Sequence, residues 1–247
     1  TIYFSFIKTS CELAKKFGPY ETFPGSPLSQ GLFQFDLWNV KPSNRYDWEA
    51  LRQEVILYGV RNSLGIVVLP SASTSQILGN VESGEAFTSN IYKRQTLSGE
   101  FIQVNKYLVE DLMELNLWNE DIRNKIIGAE GSIQNIQEIP DEIKALYKTV
   151  WELSQKIIID MAADRGPFVC QSQSMNLYIA NVNTAKLSSA LMYAWKKGLK
   201  TLNYYIRNTA SRDSIKFVVA QEERVAEQVE GIACSIDNPE TCEMCSA

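Results

Sequence analysis

The spacing of hydrophobic positions divides the chain into alternating helical and extended segments. Apolar residues that recur every three or four positions predict helices at 1–18, 46–59, 105–118, 119–127, 140–166 and 186–198. Short apolar runs predict strands at 65–70, 175–180 and 200–208. A loop rich in Pro, Gly and Ser separates the first two helices. Strands that alternate with long helices indicate the α/β class.

Two of the predicted helices carry terminal signals. Asp47 is placed to cap the helix at 46–59, and Gly59 is placed to end it. The segment 140–166 predicts one long helix with Pro140 in its first turn. Its apolar stripe consists of Ile143, Leu146, Val150, Leu153, Ile157 and Met161.

The carboxy-terminal segment differs in composition from the rest of the chain. From residue 221 the sequence "QEERVAEQVEG" is charged and poor in apolar residues. Such a segment cannot bury enough apolar surface to fix its conformation. We therefore expect one folded domain over 1–220 and a flexible tail over 221–247.

Composition narrows the classes of function. The net charge of -5 argues against a nucleic-acid partner, because that affinity comes from clustered Lys and Arg. No apolar run approaches the roughly 20 residues that a membrane span requires. The five scattered cysteines and the lack of a signal-peptide pattern favour a reducing, cytoplasmic location. Histidine is absent, which removes the usual general base and most zinc sites.

The sequence "GIVVLPSASTSQI" is the first candidate site. A predicted buried strand leads into Ser71, Ser73, Thr74 and Ser75, and a helix is expected to start near Gln76. Amides at a helix amino terminus, with hydroxyls beside them, favour anion binding. The segment lacks the Walker A pattern, and helix capping by a serine or threonine remains the alternative.

The sequence "NYYIR" is the second candidate. Tyr204 and Tyr205 lie next to each other on a predicted strand, beside Arg207. Neighbours on a strand face opposite sides, so one ring in the core and one at the surface is the simpler interpretation. The alternative is a pair of redox-active phenols that pass an electron and a proton between them.

The terminal sequence "CEMC" is the third candidate. Cys242 and Cys245 have only Cys234 nearby, too few ligands for zinc. A disulfide closing so small a loop would add little stability. Thiol–disulfide exchange on a flexible arm is the functional hypothesis, and an incidental pair is the alternative.

Cys11 and Cys170 are predicted to be small core residues, and Arg165 is either a helix-end cation or a substrate contact.

Several motifs together resemble one family. They are "GPYETFPGSPLSQG", "WNVKPSN", "PSASTSQILGN", "TSNIYKRQTLSGEF", "LYKTVWELSQK", "MAADRG", "QSQSMN", "WKKGLKTLNYYIRN" and "CEMC". The chain resembles the carboxy-terminal part of the large, catalytic subunit of class I ribonucleoside-diphosphate reductase, of the eukaryotic and viral type. The resemblance implies the second half of a ten-stranded α/β barrel over 1–220, with a flexible, redox-active tail over 221–247.

The resemblance also implies a radical mechanism that reduces ribonucleoside diphosphates for DNA synthesis. A metal-containing small subunit would supply the radical, thioredoxin or glutaredoxin would reduce the tail, and this chain would bind no metal or cofactor. The implied roles are substrate-diphosphate binding for Ser71, Ala72, Ser73 and Thr74, radical relay for Tyr204 and Tyr205, and dithiol shuttling for Cys242 and Cys245.

Other parts of the family's active site have no matching motif in this sequence. The radical cysteine and the internal cysteine pair would belong to sequence preceding Thr1. The resemblance therefore implies an amino-terminal part of the large subunit as a partner, and an inactive chain without it. Two alternatives are a non-enzymatic module that binds a phosphate ligand and a redoxin, and a degenerate remnant that contacts the small subunit.

Overall fold

A computed structural model describes residues 1–96 and 99–208. Its helices are α1 (Ile2–Phe17), α2 (Gln34–Leu37), α3 (Trp48–Tyr58), α4 (Ala72–Leu78), α5 (Lys106–Glu114), α6 (Glu120–Gly128), α7 (Asp141–Leu146), α8 (Gln155–Arg165) and α9 (Thr184–Lys196). Its strands are β1 (Ile91–Thr96), β2 (Gly99–Val104), β3 (Asn176–Tyr178) and β4 (Tyr205–Arg207). In these ranges no helix has the length and apolar character needed to cross a membrane. The predicted tail at 221–247 lies outside the described residues.

The four strands found among the described residues form two small sheets. β1 and β2 pair as an antiparallel hairpin, which the sequence did not predict. β3 and β4 are parallel, with Asn176 opposite Tyr205 and Tyr178 opposite Arg207. A parallel pair needs a long connection, and α9 lies between the two strands in the sequence. The predicted strands at 175–180 and 200–208 and the α/β class are confirmed, although both strands are shorter than expected.

The predicted strand at 65–70 is wrong. This segment contributes only an isolated bridge between Val68 and Gln173. Gln171 N donates to Ile66 O at 3.1 Å, and Ser174 N donates to Val68 O at 2.8 Å. The donors are three positions apart whereas the acceptors are two apart, so the ladder cannot continue regularly.

The single helix predicted over 140–166 is also wrong. The segment forms α7, a 3₁₀ turn at Val150–Glu152 and then α8. A capping box starts the turn, in which Thr149 N donates to Glu152 Oε2 at 2.7 Å. Val150 N donates to Phe87 O at 2.8 Å instead of continuing the helical ladder. Tertiary contacts therefore interrupt a segment whose apolar spacing is helical throughout.

The chain divides into two units. The first comprises 1–70, 158–175 and 191–204, and the second comprises 71–157, 176–190 and the described residues from 205 onward. The core of the first unit packs α1 against α3 and includes Tyr3, Ile7, Cys11, Phe33, Phe35, Leu51, Val55 and Val60. The core of the second unit surrounds α5 and α6 and includes Ile91, Leu108, Leu112, Ile122, Ile126 and Ile133.

Both ends of α3 follow the signals in the sequence. Asp47 accepts a hydrogen bond from Ala50 N at 2.9 Å, and so caps the helix. Gly59 ends it with φ of 74°, a conformation that favours glycine. A Cβ added at Gly59 would lie 2.6 Å from the Cβ of Pro19. Any side chain at this position would therefore clash with Pro19.

Removing the α3 cap should destabilise the protein. Asp47→Ala leaves an amide of the first turn without its acceptor, and we expect the free energy of unfolding to fall by about 1 kcal/mol. Asp47→Asn is the matched control, because asparagine caps equally well without the charge. Urea denaturation measures both variants. An equal loss of unfolding free energy in the two variants would contradict the capping role of Asp47. It would indicate that the charge of Asp47 stabilises the protein instead.

Candidate functional site

The helix at the predicted anion site starts earlier than expected. α4 begins at Ala72 rather than near Gln76, and its first hydrogen bond runs from Ser75 N to Ser71 O at 2.8 Å. The amides of Ala72, Ser73 and Thr74 therefore precede any intrahelical acceptor. These three residues are exposed, whereas Ser71 is half-buried and Ser75 is buried. The positive end of α4 thus carries three amides without an intrahelical acceptor and two hydroxyl groups, all on exposed residues.

The hydroxyl of Ser71 connects this helix end to the next turn. Its Oγ accepts a hydrogen bond from Ser83 N at 3.4 Å. Ser83 lies in the 3₁₀ turn Glu82–Gly84 and has φ of 51°, unusual for a residue with a side chain. The contact fixes the turn against the start of α4.

The same turn reaches the strand that carries the tyrosines. The Glu82 carboxylate lies 3.8 Å from Arg207 Nη2, and the Arg207 guanidinium carbon lies 5.9 Å from the ring centre of Tyr205. Within the second unit, contacts thus lead from Ser71 to Ser83, and from its chain neighbour Glu82 through Arg207 to Tyr205. The structure brings together two of the three candidates that the sequence identified.

Neither tyrosine of the candidate relay is buried. Tyr204 and Tyr205 are 54% and 50% exposed. The simpler interpretation, with one ring in the core, is therefore wrong. Tyr204 N donates to Met175 O at 2.7 Å, and Tyr205 begins β4 opposite Asn176. Backbone hydrogen bonds fix both positions while the rings remain accessible.

A buried tyrosine and a buried carboxylate were missed by sequence reasoning. Tyr178 OH donates to Glu85 Oε2 at 2.7 Å, and Asn176 N donates to Glu85 Oε1 at 3.1 Å. Burial raises the pKa of Glu85, although the hydrogen bonds from Tyr178 and Asn176 oppose the shift. Burial, and then the bond to Glu85, raise the pKa of Tyr178. Glutamate is usually exposed, so its type gave no signal of this role.

The side chain of Asn176 is the third buried polar group at this sheet. It is 1% exposed, and within the part of the chain that the structure describes neither its Oδ1 nor its Nδ2 has a hydrogen-bond partner. In the parallel register it lies beside Tyr205, on the same face as Tyr178. A buried amide without a partner costs free energy. The Asn176 side chain therefore leaves hydrogen-bonding capacity unused on this face of the sheet.

The remaining candidates are the other cysteines and Arg165. Cys11 is buried as predicted, whereas Cys170 is half-buried and its sulfur accepts a hydrogen bond from Ile66 N at 3.1 Å. Arg165 ends α8 and donates to Gln173 Oε1 at 3.0 Å, consistent with a helix-end cation. Cys242 and Cys245 lie outside the described residues. Among residues 1–96 and 99–208 no group of three or more Cys, Asp or Glu residues could hold a metal ion.

Comparison with known proteins identifies the class. Residues 1–205 match the family model described as ribonucleotide reductase, barrel domain. The match covers most of the chain, so the chain belongs to the ribonucleotide reductase barrel-domain family. The family resemblance drawn from the motifs is confirmed.

Individual relatives specify the subunit. The chain is 49% identical to the ribonucleoside-diphosphate reductase large subunit of Arabidopsis thaliana, with 100% of the chain and 32% of that protein covered. It is 57% identical to the ribonucleoside-diphosphate reductase large chain of Cryptosporidium parvum, over 90% of the chain and 28% of the relative. The Actinobacillus ureae class Id ribonucleotide reductase alpha subunit aligns with a TM-score of 0.61 and 28% identity, over 85% of this chain and 32% of that one. The chain therefore spans about a third of the length of these relatives.

Proposed function

We propose that this chain contributes three parts of a ribonucleoside-diphosphate reductase: the loop that binds the substrate diphosphate, the last step of the radical relay, and the tail dithiol. The proposal is supported by the contacts from Ser71 to the Ser83 amide, and from the neighbouring Glu82 through Arg207 to Tyr205. It joins an anion-binding helix end to an accessible phenol within one unit.

Substrate binding depends on local dipoles rather than on overall charge. The chain has a net charge of -5, which repels a diphosphate at long range. Ala72, Ser73 and Thr74 are exposed residues whose amides supply donors at the positive end of α4. The hydroxyls of Ser73 and Thr74 add donors beside them. Ser71 holds this end of the helix against the turn at Glu82–Gly84.

The radical step uses Tyr204 and Tyr205. In this proposal the metal-containing small subunit generates the radical, and the two phenols pass it to a cysteine in an amino-terminal part of the large subunit. A phenol can lose an electron and a proton together, and the half exposure of both rings lets neighbouring chains approach them. The parallel pair β3–β4 is then a portion of the second five-stranded half of a ten-stranded α/β barrel.

The tail dithiol completes the cycle. Cys242 and Cys245 reduce the internal cysteine pair after each turnover, and thioredoxin or glutaredoxin then reduces the tail. The chain binds no cofactor of its own in this scheme, and the reaction takes place in the cytoplasm, where thiols remain reduced. The 247-residue polypeptide by itself is inactive, because the radical cysteine comes from the amino-terminal part.

The diphosphate loop can be tested at Ala72. This residue is the first of α4, where proline fits the helix but removes one amide donor. We expect Ala72→Pro to raise KM for the ribonucleoside diphosphate about tenfold, since a hydrogen bond to a charged group is worth roughly 1.5–3 kcal/mol. The value of kcat should change little. Steady-state kinetics of the enzyme assembled with the amino-terminal part and the small subunit measure both constants.

Ala72→Ser is the matched control, because it changes the side chain but keeps the amide. It should leave KM close to that of the unmodified enzyme. Equal KM values for the proline and serine variants would show that the Ala72 amide does not contact the substrate.

A further inference from the structure

Tyr178 and Glu85 form a buried pair that the proposed function does not use. Their side chains are 5% and 7% exposed, and their oxygens lie 2.7 Å apart. Trp151 packs edge-to-face on the Tyr178 ring at 5.2 Å between centres. Burying a carboxylate costs free energy that a phenylalanine and an apolar partner would avoid.

The pair lies next to the candidate relay. Tyr178 is opposite Arg207 in the parallel register, and Tyr205 is two positions before Arg207 on the same face of the sheet. The Arg207 guanidinium carbon lies 6.0 Å from the Tyr178 ring centre and 5.9 Å from that of Tyr205. The distance between the two ring centres cannot exceed the sum of these values. One cation thus contacts both a buried phenol and an exposed one.

We propose that Tyr178 is a third redox-active phenol, a side branch that a Tyr205 radical oxidises while Glu85 accepts the phenol proton. The inference rests on the proposed function, because that function supplies the Tyr205 radical as the oxidant. The carboxylate lies within hydrogen-bond distance of the proton that must leave, which is the geometric requirement for a proton acceptor.

The step balances in electrons and protons. One electron passes from Tyr178 to the Tyr205 phenoxyl radical, and the Tyr178 O–H bond breaks as its proton moves to Glu85 Oε2. The Tyr205 oxygen takes a proton from water, which its half-exposed side chain can reach. Both oxygens of Glu85 accept hydrogen bonds, from Tyr178 OH and Asn176 N, as an ionised carboxylate does.

The side branch would protect the radical from dissolved reductants. Tyr205 is half exposed, whereas Tyr178 is 5% exposed. A radical held at Tyr178 is therefore separated from dissolved reductants until the next step of the relay. The reverse electron transfer then returns the radical to Tyr205. Glu85 returns the proton to the Tyr178 oxygen in that step.

Site-specific 3-aminotyrosine tests the branch. This amino acid is nearly the size of tyrosine but is oxidised more easily, so it traps a radical that reaches its position. It replaces Tyr178, Tyr205 or Tyr107 singly in the complete enzyme, with the small subunit and a ribonucleoside diphosphate, and rapid-freeze electron paramagnetic resonance detects the trapped radical. Tyr107 is the control, since it is a half-exposed tyrosine that lies on α5 and not on β3 or β4.

We expect an aminotyrosyl radical at positions 205 and 178 and none at 107. In the Glu85→Gln background the radical at 178 should form about 100-fold more slowly, because the proton acceptor is gone. A radical at 205 without one at 178 overturns the branch and leaves the proposed function standing. No radical at either position overturns both. Equal trapping at 178 and 107, or a rate unaffected by Glu85→Gln, also contradicts the branch.

Discussion

Tyr205→Phe should abolish ribonucleoside diphosphate reduction in the assembled enzyme, with either thioredoxin or dithiothreitol as reductant. Phenylalanine keeps the aromatic ring beside Arg207 and the backbone pairing with Asn176. It lacks the O–H whose proton and electron the relay must move. We therefore expect turnover to fall to background while substrate binding is retained. Turnover assays and isothermal titration with a ribonucleoside diphosphate measure the two properties separately.

Tyr107→Phe is the matched control for this substitution. It removes a hydroxyl from a tyrosine of similar exposure that lies on α5. Its turnover should match that of the unmodified enzyme. If Tyr205→Phe retained turnover, the relay role would be wrong; if it also lost substrate binding, the effect would be structural.

Replacing both tail cysteines should separate the two reductants. In the double variant Cys242→Ser and Cys245→Ser, we expect thioredoxin-driven turnover to fall to background. Dithiothreitol-driven turnover should survive, because a small dithiol can reduce the internal cysteine pair without the tail. Assays of the assembled enzyme with each reductant provide the measurement.

Cys234→Ser provides the control in the same segment, since it removes a thiol but leaves the C-x-x-C pair intact. Both reductants should support this variant equally. Loss of both activities in the double variant, or of neither, would contradict the shuttle.

Local signals predicted much of the fold. The boundaries of α3 follow from Asp47 and Gly59, whose roles depend on residues close in sequence. The order β3, α9, β4 follows from apolar runs separated by a helical pattern. These elements could be predicted because the chemistry that determines them lies within a few residues.

Elements that depend on distant partners could not be predicted in the same way. The helical spacing over 140–166 contains no sign that Val150 N would bond to Phe87 O. The apolar run at 65–70 looks like a strand, but its ladder is irregular because of the spacing of its donors, Gln171 and Ser174. In both cases a tertiary contact overrides a local preference.

In the candidate site, too, local segments could be predicted but contacts between distant segments could not. The hydroxyl loop, the tyrosine pair and the dithiol were each recognisable as short segments. The contacts that connect Ser71 to Tyr205 through the turn at Ser83 and Glu82 and through Arg207 were not, because they join separate segments of the chain. The Tyr178–Glu85 bond spans 93 positions, and sequence spacing gives no indication of such a pair.

Reconstitution shows whether this chain carries one part of an active site that an amino-terminal part completes. Reduction of a ribonucleoside diphosphate is measured for the 247-residue polypeptide alone, with the small subunit, and with both the small subunit and the amino-terminal part of the large subunit. We predict deoxyribonucleoside diphosphate only in the last mixture. Product from the polypeptide alone, or none from the complete mixture, would show that the active site is not shared between these two parts.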